Sequence, residues 1–205
     1  MWWQQRLSEF VTLFLVINPF GALPTFMEIA ATLDPRAQRR LALSATVISF
    51  AVLVFFIVAG AFLLAQMGIS IRAFQISGGI LLFVIALDMI RGQTLTGHGK
   101  EQGSMALAVY PLAIPKIAGP GAMLTVVLVT DDDRLNLAGQ LTTVGVLALV
   151  LVVTFLILLA AVPISRLIGT AGVSVISRVM GMLLAAMAVA LVLGAVGDWL
   201  NLPKL

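Results

Sequence analysis

The chain has 205 residues, of which 61% are apolar and only 10% charged. A water-soluble domain carries about a quarter charged residues, so a soluble fold is excluded and lipid must solvate most of this surface. Twelve basic residues against nine acidic ones leave a formal charge of +3, an excess that reads as membrane topology rather than nucleic-acid binding.

The first apolar stretch runs from about Leu7 to Ala31. Asn18-Pro19 interrupts it and no small-residue cleavage site follows, so it reads as part of the mature protein rather than a signal peptide. At its centre lies Asn18-Pro19-Phe20-Gly21-Ala22-Leu23-Pro24. Two prolines and a glycine in seven residues predict a broken helix, with Asn18 suited to an N-cap and Pro19 to the first helical position. Arg36, Arg39 and Arg40 precede the second stretch, Leu41–Met67. The third, Ile71–Ile90, holds Gln75 and Ser77, and Asp88 near its end sits three residues before Arg91. A loop over 91–104 contains His98, the single histidine.

The fourth stretch, Met105–Thr130, contains Pro115-Lys116-Ile117-Ala118-Gly119-Pro120-Gly121, which predicts a second break. Lys116 falls near mid-span, where a cation costs roughly 2.5–3.5 kcal/mol; it either faces an interior cavity or reaches an interface along its aliphatic stem. After the acidic run Asp131–Asp133 come the fifth stretch, Leu137–Val162, and the sixth, Val173–Val196. The sixth carries Ser174, Ser177 and Arg178, then a ridge of Ala186, Ala190 and Gly194 suited to helix packing.

Each stretch has the roughly 20 residues needed to cross a hydrocarbon core of about 30 Å. Long unbroken apolar runs fit helices rather than barrel strands. The expectation is an all-α polytopic membrane protein forming a single transmembrane domain over 1–205. Six basic residues (Arg36, Arg39, Arg40, Arg91, Lys100, Arg166) fall on one side and four (Arg6, Arg72, Arg134, Lys204) on the other. That puts the first set in the cytoplasm and both termini outside. Pro19 and Pro24 recur as Pro115 and Pro120 at one spacing, and 73–82 resembles 175–184 with Gly79 matched to Gly181. Three spans per half make the second copy upside down, giving inverted repeats over 7–90 and 105–196.

A helix that restarts inside the membrane presents unpaired amides and a positive end. Two such ends brought together would hold a carboxylate, and the freed carbonyls an ammonium or a sodium ion. The substrate-contact candidates are therefore Asn18, Pro19, Gly21, Pro24, Pro115, Lys116, Gly119, Pro120 and Gly121, with Gln75, Ser77, Ser177 and Arg178 as polar groups nearby. For Arg178 snorkelling to an interface is the simpler reading, and for Gln75, Ser77 and Ser177 helix–helix bonding explains the residues equally well. Neither Asp88 nor Glu28 is placed at mid-span. Any coupling is thus expected to use Na+ rather than protons, and no other cofactor or metal is implied.

Together Leu15-Val16-Ile17-Asn18-Pro19-Phe20-Gly21 with Pro24, Ile76-Ser77-Gly78-Gly79, the 115–122 stretch, and Ser177-Arg178 with Gly181 resemble the MarC family. That family is also described as a neutral amino-acid transporter family of the lysine-exporter-like superfamily. The resemblance covers nearly the whole chain. It implies six spans in two inverted three-span repeats, both termini periplasmic in a bacterial inner membrane, and carriage of glycine, alanine or similar amino acids, as an exporter in some members. Nothing in the residues supports drug efflux. The competing classes are a channel, a membrane protein without transport activity and, last, an intramembrane enzyme, for which no histidine-based pair is on offer and a Ser77–Lys116 dyad is the remaining arrangement. The expected partners are the substrate and the bilayer, with no nucleic acid; a homo-oligomer stays open.

Overall fold

The computed structural model describes residues 2–31, 33–92, 108–131 and 137–200. Regular structure among them is helical throughout. The 91–104 loop beyond Gly92, with His98, and most of the Asp131–Asp133 run lie outside the described residues.

The first stretch is two helices. α1 (Trp2–Ile17) stops at Asn18, which has φ 50° and ψ 67°, and α2 (Pro19–Ala30) restarts at once. The left-handed conformation costs an L-residue about 1–2 kcal/mol. It is offset here by the cap, in which Gly21 N–H donates to Asn18 Oδ1 at 3.0 Å. α3 (Pro35–Gln66) starts six residues before its apolar run, because Asp34 accepts from Ala37 N–H at 2.7 Å and Pro35 fills the first position. At about 1.5 Å per residue it reaches about 48 Å, more than the hydrocarbon layer, so its first turns carry Arg36, Arg39 and Arg40 beyond the apolar zone. A turn through Gly68 (φ 68°) leads to α4 (Ile71–Arg91), which is capped by Ser70 at its start and by left-handed Gly92 at its end.

In the fourth stretch, Ala108–Ile117 winds as a π-helix, and α5 (Pro120–Asp131) follows the gap at Ala118-Gly119. The π winding was not expected from sequence. Proline supplies no N–H for an i→i−4 bond, and this segment carries prolines at 111 and 115. Ala118 N–H donates to Ala113 O at 2.8 Å in this pattern. α6 spans Leu137–Leu159. The last helix, α7 (Ala161–Trp199), begins twelve residues before the expected Val173 and turns at Gly169 (φ 68°, ψ 172°), a backbone region essentially restricted to glycine.

Among the described residues, five stretches are long and apolar enough to cross a bilayer: Trp3–Met27, Pro35–Gln66, Ile71–Arg91, Ala138–Leu159 and Ser174–Trp199, with Pro120–Thr130 a shorter apolar helix. Large apolar side chains such as Phe55, Phe62, Leu149, Leu156, Met182 and Leu193 stand exposed along them, a surface that needs lipid around it.

The inside is organised by pairing. α4 packs most extensively on α7, α3 on α6 and α1 on α5, while α2 lies mainly against α7 and also touches the π segment. The α4–α7 pair is antiparallel and reciprocal. A Cβ at Gly79 would lie 3.1 Å from Ala188 O, and one at Gly181 would lie 3.1 Å from Ala86 O. In each case a glycine meets the alanine seven residues beyond the other helix's glycine. Close approach through small residues is how helices associate where lipid supplies no hydrophobic drive.

Candidate functional site

Both chain breaks face one small cavity of about 30 Å³. Asn18 and Gly21 reach it from the first break, Lys116, Gly119 and Gly121 from the second, and Leu82, Met89 and Leu184 close it from α4 and α7. That is room for about one or two water molecules. α2 and α5 both start at this cavity, so two positive helix ends converge there. Asn18 is 7% exposed and Gly119 and Gly121 are buried. Asn18 uses its amide twice: Oδ1 caps α2, and Nδ2 donates to Met89 Sδ at 3.4 Å. The walls are tight. A Cβ at Gly21 would lie 2.7 Å from Met89 Cε, and one at Gly121 would lie 2.4 Å from Leu82 Cγ.

A second cavity of about 70 Å³ adjoins the first. Gly21, Met89 and Lys116 line both, so Met89 stands in the partition. Its other walls are Pro24, Thr25, Gly92, Ser174 and Ser177. Gly92 ends α4 and Thr25 lies in the second half of α2, which sets this cavity toward the end of the bundle that carries Arg36, Arg39, Arg40 and Arg91. A larger groove, about 520 Å³, lies elsewhere: Trp3, Leu7, Phe10, Val146 and Leu149 give it an apolar lining between α1 and α6, suited to an acyl chain rather than a polar solute.

The structure thus gathers Asn18, Gly21, Pro24, Lys116, Gly119, Gly121 and Ser177 around two linked cavities. Lys116 lines both cavities. Pro19 and Pro120 line neither cavity, and each opens the helix after a break. Both take the first helical turn, where proline is tolerated. Pro24 lies inside α2, and the backbone of Pro115 lies inside the π segment.

Three candidates lie elsewhere. Gln75 Nε2 donates to Leu191 O at 3.1 Å and ties α4 to α7. Ser77 is exposed and donates to Phe74 O at 3.0 Å. Arg178 is exposed, with its guanidinium beside Gly92. Asp88 is half-buried and lines neither cavity.

Thr25 and Met89 were not picked out from the sequence. A clue for Thr25 was available, since it follows Pro24 in an already suspect segment; nothing marked Met89. Glu9 was also overlooked. It is 6% exposed in α1 and pairs with Arg6 at 2.6 Å, three residues back. The spacing suits an i,i+3 pair on a helix, but the sequence does not say which way that face turns.

A model of the MarC family, described as integral membrane proteins, matches residues 3–200. A UPF0056 membrane protein of Methanocaldococcus jannaschii is 35% identical over 199 residues, covering 94% of this chain and 96% of that protein. A UPF0056 membrane protein of Aquifex aeolicus is 32% identical over 200 residues, covering 95% of this chain and 93% of its own. The Escherichia coli UPF0056 inner membrane protein YhgN is 33% identical over 197 residues, covering 95% of this chain and 98% of its own. No solved structure matches.

Proposed function

The chain belongs to the MarC family of integral membrane proteins, and we propose that it is a secondary transporter of small neutral amino acids of the glycine and alanine kind, working across a bacterial inner membrane. The observation that carries this reading is the meeting of two broken stretches at one cavity, with a helix start from each. Irregular backbone at membrane depth belongs in protein or around a wet path, and carriers place substrate at such breaks. The confined space favours small solutes over drug-sized ones.

The reciprocal packing of α4 and α7 supports an inverted repeat. In each half the third span offers the same glycine–alanine face, run in opposite directions. Leu82 and Leu184, matched in the two halves, both line the central cavity, as they should if a pseudo-twofold axis passes there. Movement of the broken segments about such an axis would expose the site to one side and then the other. In this reading the Arg-rich end is cytoplasmic and both termini are periplasmic. A zwitterion brings no net charge, so helix starts, backbone carbonyls and Lys116 suffice, and the coupling ion is Na+.

The test is uptake of radiolabelled glycine and alanine into proteoliposomes, with counterflow. Saturable flux with counterflow supports a carrier. Linear, unsaturable flux would make it a channel, and no flux of any small amino acid would overturn the reading. Flux is then driven by an imposed sodium gradient and, separately, by a pH gradient. Acceleration by the pH gradient alone, abolished in Asp88→Asn or Glu9→Gln, would replace sodium by protons.

A further inference from the structure

Hydroxyl groups inside membrane helices have a simple way to satisfy themselves, which is to donate to the carbonyl one turn back. Thr46, Ser49, Thr142 and Thr154 all do so here, onto Ala42, Ala45, Ala138 and Val150, at 2.8 Å in each case. Thr25 and Ser177 do not. Thr25 is 0% exposed and Ser177 is 7% exposed, and neither hydroxyl has a hydrogen-bond partner. Buried polar groups are nearly always bonded, so an unused hydroxyl asks for an explanation. Thr125 and Thr143 are also unpartnered, but they line neither cavity. Thr25 and Ser177 come from different helices, α2 and α7, and line the same 70 Å³ cavity, which Lys116 also lines.

We propose that this cavity is a carboxylate-binding position, where Thr25 and Ser177 donate their hydroxyl protons to the carboxylate of a small zwitterion drawn in by Lys116. The inference rests on the transport reading and locates one end of the substrate within it. Two hydroxyl donors and an ammonium are complementary to a carboxylate and not to a free amine. The volume exceeds that of the central cavity and has room for several waters, which a carboxylate could replace while making the hydrogen bonds they would make. Its place toward the Arg-rich end makes it the first or last stop beside the partition formed by Met89.

The probe is acetate, which keeps the carboxylate and drops the ammonium. Purified protein in nanodiscs is titrated with sodium acetate, sodium chloride and methylammonium chloride, following thermal stability and binding heat. Acetate should bind and raise Tm; methylammonium and chloride should not. Thr25→Val and Ser177→Ala should each weaken acetate by about tenfold or more, since each removes a hydrogen bond to a charged group. Without acetate their Tm should match or exceed that of the parent, because neither loses a bond within the protein. Thr25→Ser keeps the hydroxyl and should bind as the parent does, which guards against a variant that fails to fold. Equal acetate binding in the parent and in both variants, or none in the parent, overturns the proposal. If acetate binds with this hydroxyl dependence while amino-acid flux is absent, the site stands and the transport reading falls. If flux persists with unchanged KM in both variants, the transport reading stands and the site falls.

Discussion

Gly121 is the position where a single methyl group should separate stability from function. A Cβ added there would sit 2.4 Å from three carbons of Leu82: Cγ, Cδ1 and Cδ2. No rotation of a terminal methyl clears all three, so the whole isobutyl group must move. Leu82 is 3% exposed, and the open space it borders is the central cavity. In Gly121→Ala we therefore expect Leu82 to be driven into that cavity, at about 1–3 kcal/mol as for an overpacked core, with substrate affinity abolished by the filled site. Leu82→Ala alone should cost about 2–5 kcal/mol for the void it leaves. In the double variant the new methyl takes some of the vacated room. Its loss should fall short of the sum of the single losses by about 1–3 kcal/mol, and binding should partly return. The assay is a double-mutant cycle of unfolding in detergent, followed by tryptophan fluorescence, with uptake measured on the same four proteins. Additive losses to within about 0.5 kcal/mol, or normal uptake by Gly121→Ala, would refute the reasoning.

Asn18→Gly should be nearly as stable as the parent, because glycine accepts the left-handed backbone, whereas Asn18→Ala should lose about 2–3 kcal/mol by chemical denaturation from the cap and the backbone together. Gln75→Leu should lower stability by about 0.6 kcal/mol, at most about 1.7, as typical for one interhelical hydrogen bond in a membrane, and should leave the KM for amino acid unchanged; a shifted KM would return Gln75 to the site. In this cysteine-free chain, cysteine at exposed Gln4 should react with an impermeant thiol reagent in intact cells and cysteine at exposed Arg36 should not; the reverse pattern would invert the proposed topology.

The sequence made five of the spans and both breaks legible, because span length and proline chemistry are local. Asn18 and Pro19 took the cap and first-turn positions their side chains suit. Other features depend on which way a helix is turned. In a soluble protein the polar face gives that away, but here lipid-facing and core-facing residues are equally apolar. Ala188 is buried on α7 while Ala186 and Ala190 on either side of it are exposed, and no property of three alanines tells them apart. For the same reason the sequence left Gln75 between a cavity and a bond across helices, the second being the one it makes, and Met89 passed as an ordinary apolar residue although it divides the site. The π winding escaped because no local residue pattern distinguishes an i→i−5 spiral from an α-helix.

The glycine contacts of α4 and α7 have a mechanical consequence. Where backbone rests on backbone, no long side chain can change rotamer to let the two surfaces slide, and any small displacement meets a carbonyl oxygen. The pair should therefore behave as a rigid beam. Movement that opens and shuts a path must then fall to the pieces with loose joints, α1 hinged on α2 at Asn18 and the π segment hinged on α5 at Ala118-Gly119. Spin labels on α4 and α7 should keep one separation whatever the solute, while labels spanning either joint should not. The molecule would work less like two halves rocking as blocks than like a fixed post with two jointed arms.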